Sequence, residues 1–86
     1  MSKHIILAVH ITDRLTEVPT IQGLFSEYGR NIKTRLGLHE VGEGMDAPNG
    51  IILLEMHGAE ARCDEMAAKL GAIEGVEVQK VVFEHA

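Results

Sequence analysis

The chain predicts a ferredoxin-like α+β sandwich. This is a βαββαβ arrangement with a four-stranded antiparallel sheet in the order 4-1-3-2 and two helices on one face. Three observations predict it. Apolar runs of strand length recur at His4 to Ile11, Ile32 to His39, Gly50 to His57 and Val76 to Glu84. Stretches of helical periodicity separate the first run from the second and the third from the fourth. Together these elements take up nearly all of the 86 residues, which leaves room for one core and hence one domain, residues 1–86.

The first strand alternates Ile5, Leu7, Val9 and Ile11 with His4, Ile6, Ala8 and His10. Apolar residues on both sides suit a central strand. Thr16 is placed to cap the helix that follows, with Pro19 in its first turn, where a missing N–H costs least. Val18, Ile21, Leu24, Phe25 and Tyr28 keep helical spacing, and Gly29 is expected to end the helix as a C′ glycine. The second strand alternates Ile32, Thr34, Leu36 and Leu38 with Lys33, Arg35, Gly37 and His39. Its charges suit a sheet edge. Val41 to Gly50, with three glycines and a proline, is expected to be a mobile loop.

In the third strand Ile52, Leu54 and Met56 face the helices, and Gly58 turns the chain. Ala59, Cys63, Met66, Ala67 and Leu70 form the apolar stripe of the second helix, which ends at Gly71. In the last strand Val76 and Val78 are out of step with Val81 and Phe83, and a bulge near Lys80 is the expected reason.

Composition excludes several classes. Thirteen acidic against eight basic residues give a formal charge of −5, with no basic stripe beyond Arg30, Lys33 and Arg35. Direct nucleic-acid binding is not expected. Ile5 to Ile11 is too short to span a bilayer and no signal-peptide cleavage region follows it, so no membrane partner and a cytoplasmic location are expected. The single cysteine, Cys63, excludes an intramolecular disulfide.

A sheet with helices on one side leaves its other side bare. That open face is expected to collect Ile6, Ala8, Ile51 and Leu53 at its centre, with His4, His10, Glu55, His57, Lys33, Arg35 and His39 around them. Each apolar side chain left in water there forgoes about 1–3 kcal/mol of burial. Such a patch marks an interaction surface. Homo-oligomerisation, as a dimer or tetramer, is the first expectation. A cleft for a small-molecule effector at the same face is the second.

Five histidines make metal chemistry a reading to weigh. Glu55 and His57 lie two apart on a strand, and Cys63 follows one turn into the next helix. Convergence of the three would offer a site for nickel, zinc or copper. Against this, Cys63 belongs to the apolar stripe, which reads it as a buried thiol, and cross-strand pairing brings Arg35 near Glu55 as an ordinary ion pair. No Ser-His-Asp, HExxH, CxxC or P-loop pattern is present, so the chain is not expected to be an enzyme; a small oligomeric enzyme is the weakest reading.

Four segments resemble the iron-only hydrogenase system regulators: His10 to Arg14, Ile21 to Gly29, Ile32 to Leu38 and Lys69 to Val78. These are small ACT-like proteins related in fold to the C-terminal domain of the nickel-responsive regulator. The resemblance implies a ligand-sensing, non-enzymatic regulatory role in a homo-oligomer. A local likeness to the nickel regulator is carried by His57 and, after five residues, Cys63, with Glu55 where that family has a first histidine. It implies a metal set completed by His39 of a neighbouring subunit. A carboxylate at Glu55 is a harder donor than square-planar nickel favours. The DNA-binding arm of the nickel regulator has no counterpart in this chain, so any transcriptional control would act through another protein.

Overall fold

Alternation along the first strand divides the sheet into a helix side and an open side. The computed structural model describes residues 2–12, 18–39 and 50–85. Its elements are β1 (Ser2–Ile11), α1 (Val18–Glu27), a 3-10 turn (Gly29–Asn31), β2 (Ile32–His39), β3 (Gly50–Met56), α2 (Glu60–Gly71) and β4 (Val76–His85). All neighbouring strands run antiparallel, in the order β2-β3-β1-β4. This is the expected ferredoxin-like order, with β1 and β3 central. The Thr16 cap and residues 41–49 of the expected loop fall outside the described residues.

The core lies between the sheet and the helices. Ile5, Leu7 and Val9 of β1 and Leu54 and Met56 of β3 meet Ile21, Leu24 and Phe25 of α1 and Cys63, Met66 and Leu70 of α2. Each such side chain taken fully out of water stabilises the fold by about 1.5–3 kcal/mol before entropy is counted. Tyr28 is fully buried, and its hydroxyl donates to Glu65 at 2.6 Å, tying the end of α1 to α2. Burial raises the pKa of the phenol, while the bond it donates lowers that of Glu65. Glu60 opens α2 and Lys69 stands in its last turn, both complementing the helix dipole.

Two local expectations are corrected. Gly29 does not end α1 in a left-handed conformation: among the described residues only Gly58 (φ 89°) and Gly75 (φ 88°) have positive φ, and Gly29 opens the 3-10 turn. β4 has no bulge near Lys80, because its pairing with β1 runs unbroken from Ser2↔His85 to Ile11↔Val76. The change of phase is real but chemical. Lys80 stays on the helix side and bonds Glu60 and Asp64 of α2 at 2.6 and 2.7 Å, whereas Val81 and Phe83 turn to the open side. The irregularity lies in β2 instead, where Ile32 pairs with Met56 and Thr34 with Glu55, leaving Lys33 as the extra residue.

Candidate functional site

The β2 bulge decides which side chains share the open face. Ile32 packs against the core, but beyond Lys33 the phase reverses, so Thr34 and Leu36 lie opposite Glu55 and Leu53 on the open side. Arg35 therefore faces the helices, where its guanidinium carbon lies 4.7 Å from the centre of the Phe25 ring. The expected place of Arg35 on the open face, and its ion pair with Glu55, are both corrected. Glu55 instead accepts from the Thr34 hydroxyl at 3.0 Å and stands 3.9 Å from Lys33 Nζ.

Read across β2, β3, β1 and β4, the open face has three fully paired rows. One runs Leu36, Leu53, Ala8, Gln79, and the next runs Thr34, Glu55, Ile6, Val81. On the far side of the first the third row runs Leu38, Ile51, His10, Glu77, and beyond the second His4 lies opposite Phe83. Apolar side chains thus trace a diagonal from Leu36 through Leu53, Ala8, Ile6 and Val81 to Phe83. Leu36 is 52% exposed, Val81 43% and Phe83 54%, while Ile6, Ala8 and Leu53 are half-buried. Large side chains this open are a poor arrangement for a face that meets only water.

Off the diagonal the face is mixed, with exposed Ile51 among polar side chains. A hollow of about 260 Å³ is lined by Ala8, His10, Ile51, Glu77 and Gln79. Its floor is apolar, and a carboxylate, an amide and an imidazole stand at its wall. Ile6, Ala8, His10, Ile51 and Leu53 are therefore all on the open face where alternation puts them, and three of them line the hollow. Sequence reasoning missed Leu36, Val81, Phe83, Glu77 and Gln79. A strict period of two carried along β4 from Val76 would have found the last four.

The residues considered as metal ligands are dispersed in environment. Cys63 is fully buried in the core, and burial raises the pKa of its thiol. His57 is exposed just past the end of β3, where its backbone N–H donates to Asn31 O at 2.9 Å and its carbonyl accepts from Asn31 Nδ2 at 3.0 Å. Glu55 is engaged by Thr34 and Lys33. His39 pairs with Gly50 in the sheet, and its side chain lies outside the described residues. Among the described residues no group of three or more His, Cys, Asp or Glu side chains is placed to hold a metal.

A second polar cluster lies on the helix side. Lys3 reaches Glu60 at 2.9 Å, and Lys80 reaches both Glu60 and Asp64. The bonds from Lys80 and then Lys3 hold the Glu60 carboxyl down to about 2. This network ties α2 to β1 and β4, and every member of it is paired. Among the described residues no helix is long and apolar enough to cross a membrane.

No protein-family profile matches the chain, and no curated protein does. Among solved structures it is similar to an uncharacterized protein from Thermotoga maritima. The identity is 25% and the TM-score 0.79, over 96% of this chain and 100% of that one. It is also similar to CPII from Thiomonas intermedia K12, whose structure was solved bound to ADP, AMP and acetate. That likeness is at 13% identity and a TM-score of 0.49, over 96% of this chain and 90% of that one.

Proposed function

We propose that this protein is a non-enzymatic regulatory module of ACT-like type, which self-associates and holds a small effector on its open sheet face. The observation that carries the reading is the open face itself, a continuous apolar diagonal beside an amphipathic hollow on a sheet whose other side packs against the helices. The resemblance of four segments to the iron-only hydrogenase system regulators supports the same role.

The hollow is smaller than the roughly 300–1,000 Å³ of pockets for drug-sized molecules. Its apolar floor at Ala8 and Ile51 and the acceptor at Glu77 fit a small molecule with a short aliphatic part and a positively charged or hydrogen-bond-donating head. Titration of the 15N-labelled full chain with a panel of primary amines and amino acids tests this by NMR. Saturable shifts at His10, Glu77 and Gln79 that Glu77→Gln weakens are expected. Shifts scattered over the surface, or none, would count against an effector site here. Light scattering on the same samples reads the association state, and a strict monomer at millimolar concentration would remove the oligomeric part of the proposal.

A further inference from the structure

Resting on that reading of the open face, we propose that the face is covered by a second copy of this chain. The two copies are related by a two-fold axis that runs along the apolar diagonal, close to Leu53 and Ile6, and each copy closes the other's hollow. The argument begins with what different axes would bury. An axis parallel to the strands lays β2 of one copy on β4 of the other and sets Leu36 over Gln79. An axis across the strands exchanges the ends of β4 and sets Phe83 over Glu77. Both bury a large apolar side chain against a polar one, which costs the interface its main driving force. An axis along the diagonal passes close to Leu53 and Ile6, which meet their own counterparts. It lays Leu36 toward Leu53, and Val81 and Phe83 toward each other and Ile6, with the small Ala8 beside Glu55. The large apolar side chains thus meet apolar ones, as a self-complementary two-fold interface requires.

Charge supports the same axis. The two corners that lie off the diagonal carry Lys33, on the β2 bulge, and Glu77, near the start of β4. Rotation about the diagonal exchanges these corners, so Lys33 of each copy meets Glu77 of the other. Both partners are available. The Lys33 side chain is 63% exposed with its ammonium 3.9 Å from Glu55, and Glu77 is exposed and in no ion pair with a described residue. The rotation also carries Thr34 and Lys33 of the second copy over the mouth of the hollow between His10, Ile51, Glu77 and Gln79, so the effector site is complete only in the dimer.

The geometry is consistent with known sheet packing. With strands about 4.8 Å apart and residues about 3.4 Å apart, the diagonal lies roughly 45° from the strands, so the two sheets cross at roughly 90°, in the orthogonal class. The same spacings give a footprint of about 500 Å² per copy, about 1,000 Å² in all, in the class of weak, transient interfaces, so a readily reversible dimer is expected.

The test is charge reversal followed by rescue, on the full chain by sedimentation equilibrium. Lys33→Glu and Glu77→Lys each replace two attractions with two repulsions and should weaken the dimer about tenfold or more. The double variant K33E/E77K should return to within about threefold of the natural chain, because the pairs re-form with their signs exchanged. Both sites are exposed, and circular dichroism on each variant confirms that the fold is kept. If the single reversals leave a natural dimer unchanged, or the double variant is not rescued, the diagonal axis is wrong. If the natural chain dimerises and Leu36→Glu does not weaken it, the open face is not the interface, although oligomerisation stands. If the natural chain is monomeric up to millimolar, both this inference and the oligomeric reading fall.

Discussion

The Arg35 guanidinium lies over the Phe25 ring, 4.7 Å from its centre, on the side of the sheet that carries the helices. Half of β2 is set by the bulge that makes this contact available, because sending Arg35 to the helices sends Leu36 to the open side. The contact is partly solvent-exposed, so Arg35→Ala should lower stability by only about 0.5–1 kcal/mol. Phe25→Ala should cost about 3–5 kcal/mol through the cavity it leaves. A double-mutant cycle in urea should return a coupling near the smaller value. No coupling at all would mean that Arg35 does not hold this position in solution.

Acid should loosen the seam between α2 and the sheet. The Glu60 carboxyl, ordinarily at 4.5, is held near 2 by Lys80 and Lys3. Because the folded value is the lower one, the stabilisation is complete above about 4.5 and fades as pH falls toward 2. Lys80→Met removes the stronger of the two bonds. Urea midpoints measured at pH 6 and pH 3 should therefore fall less with acid in that variant than in the natural chain. Equal acid sensitivity would show that the pairing does not contribute in water, as is common for exposed ion pairs.

Two glycines separate conformational need from mere occupancy. Gly58 has φ 89°, and a Cβ there would come within 2.7 Å of Asn31 Nδ2, the group that donates to the His57 carbonyl. Gly58→Ala should cost about 1–3 kcal/mol, from the strained backbone and the displaced amide. Gly29 has open space around the same position and lies in the 3-10 turn, so Gly29→Ala should be neutral or slightly stabilising, by up to about 1 kcal/mol. Thermal melts of the two variants decide between these outcomes.

Cys63 should behave as core, with its thiol inaccessible and its pKa raised by burial. Reaction with a thiol reagent should be slow in buffer and fast in denaturant. Cys63→Ser, which buries a hydroxyl among apolar neighbours, should cost about 1–3 kcal/mol. Calorimetric titration with Ni(II) or Zn(II) should give the same isotherm for the natural chain and for Cys63→Ala. A metal affinity that disappears with Cys63→Ala would restore the thiolate reading.

The fold was legible in the sequence because alternation of apolar residues is a direct consequence of strand geometry, and it held without interruption in β1 and β3. Ile5, Leu7, Val9, Leu54 and Met56 are all buried where period two puts them. The open face was legible only where its strands are regular. In β2, Lys33 and Arg35 read as two charges on one side, but an inserted residue is invisible in a pattern whose polar and apolar positions both tolerate a shift. In β4 the error ran the other way. A period that held throughout was read as broken, because Lys80 occupies a helix-side position in which a salt bridge replaces apolar packing. The hollow escaped notice for a related reason: Glu77 and Gln79 look like ordinary surface residues until pairing with β1 sets them beside Ala8 and His10.

The unbroken ladder between β1 and β4 also has a kinetic consequence. The strand made first is flanked on one side by the strand made last, so a chain emerging from the ribosome holds β1 with a bare edge until residues 76–85 are clear of the exit tunnel. Long-range strand closure of this kind is slow compared with helix formation. During that interval one edge of β1 lacks its final neighbour, and the nascent protein is at its most vulnerable to aggregation and chaperone capture.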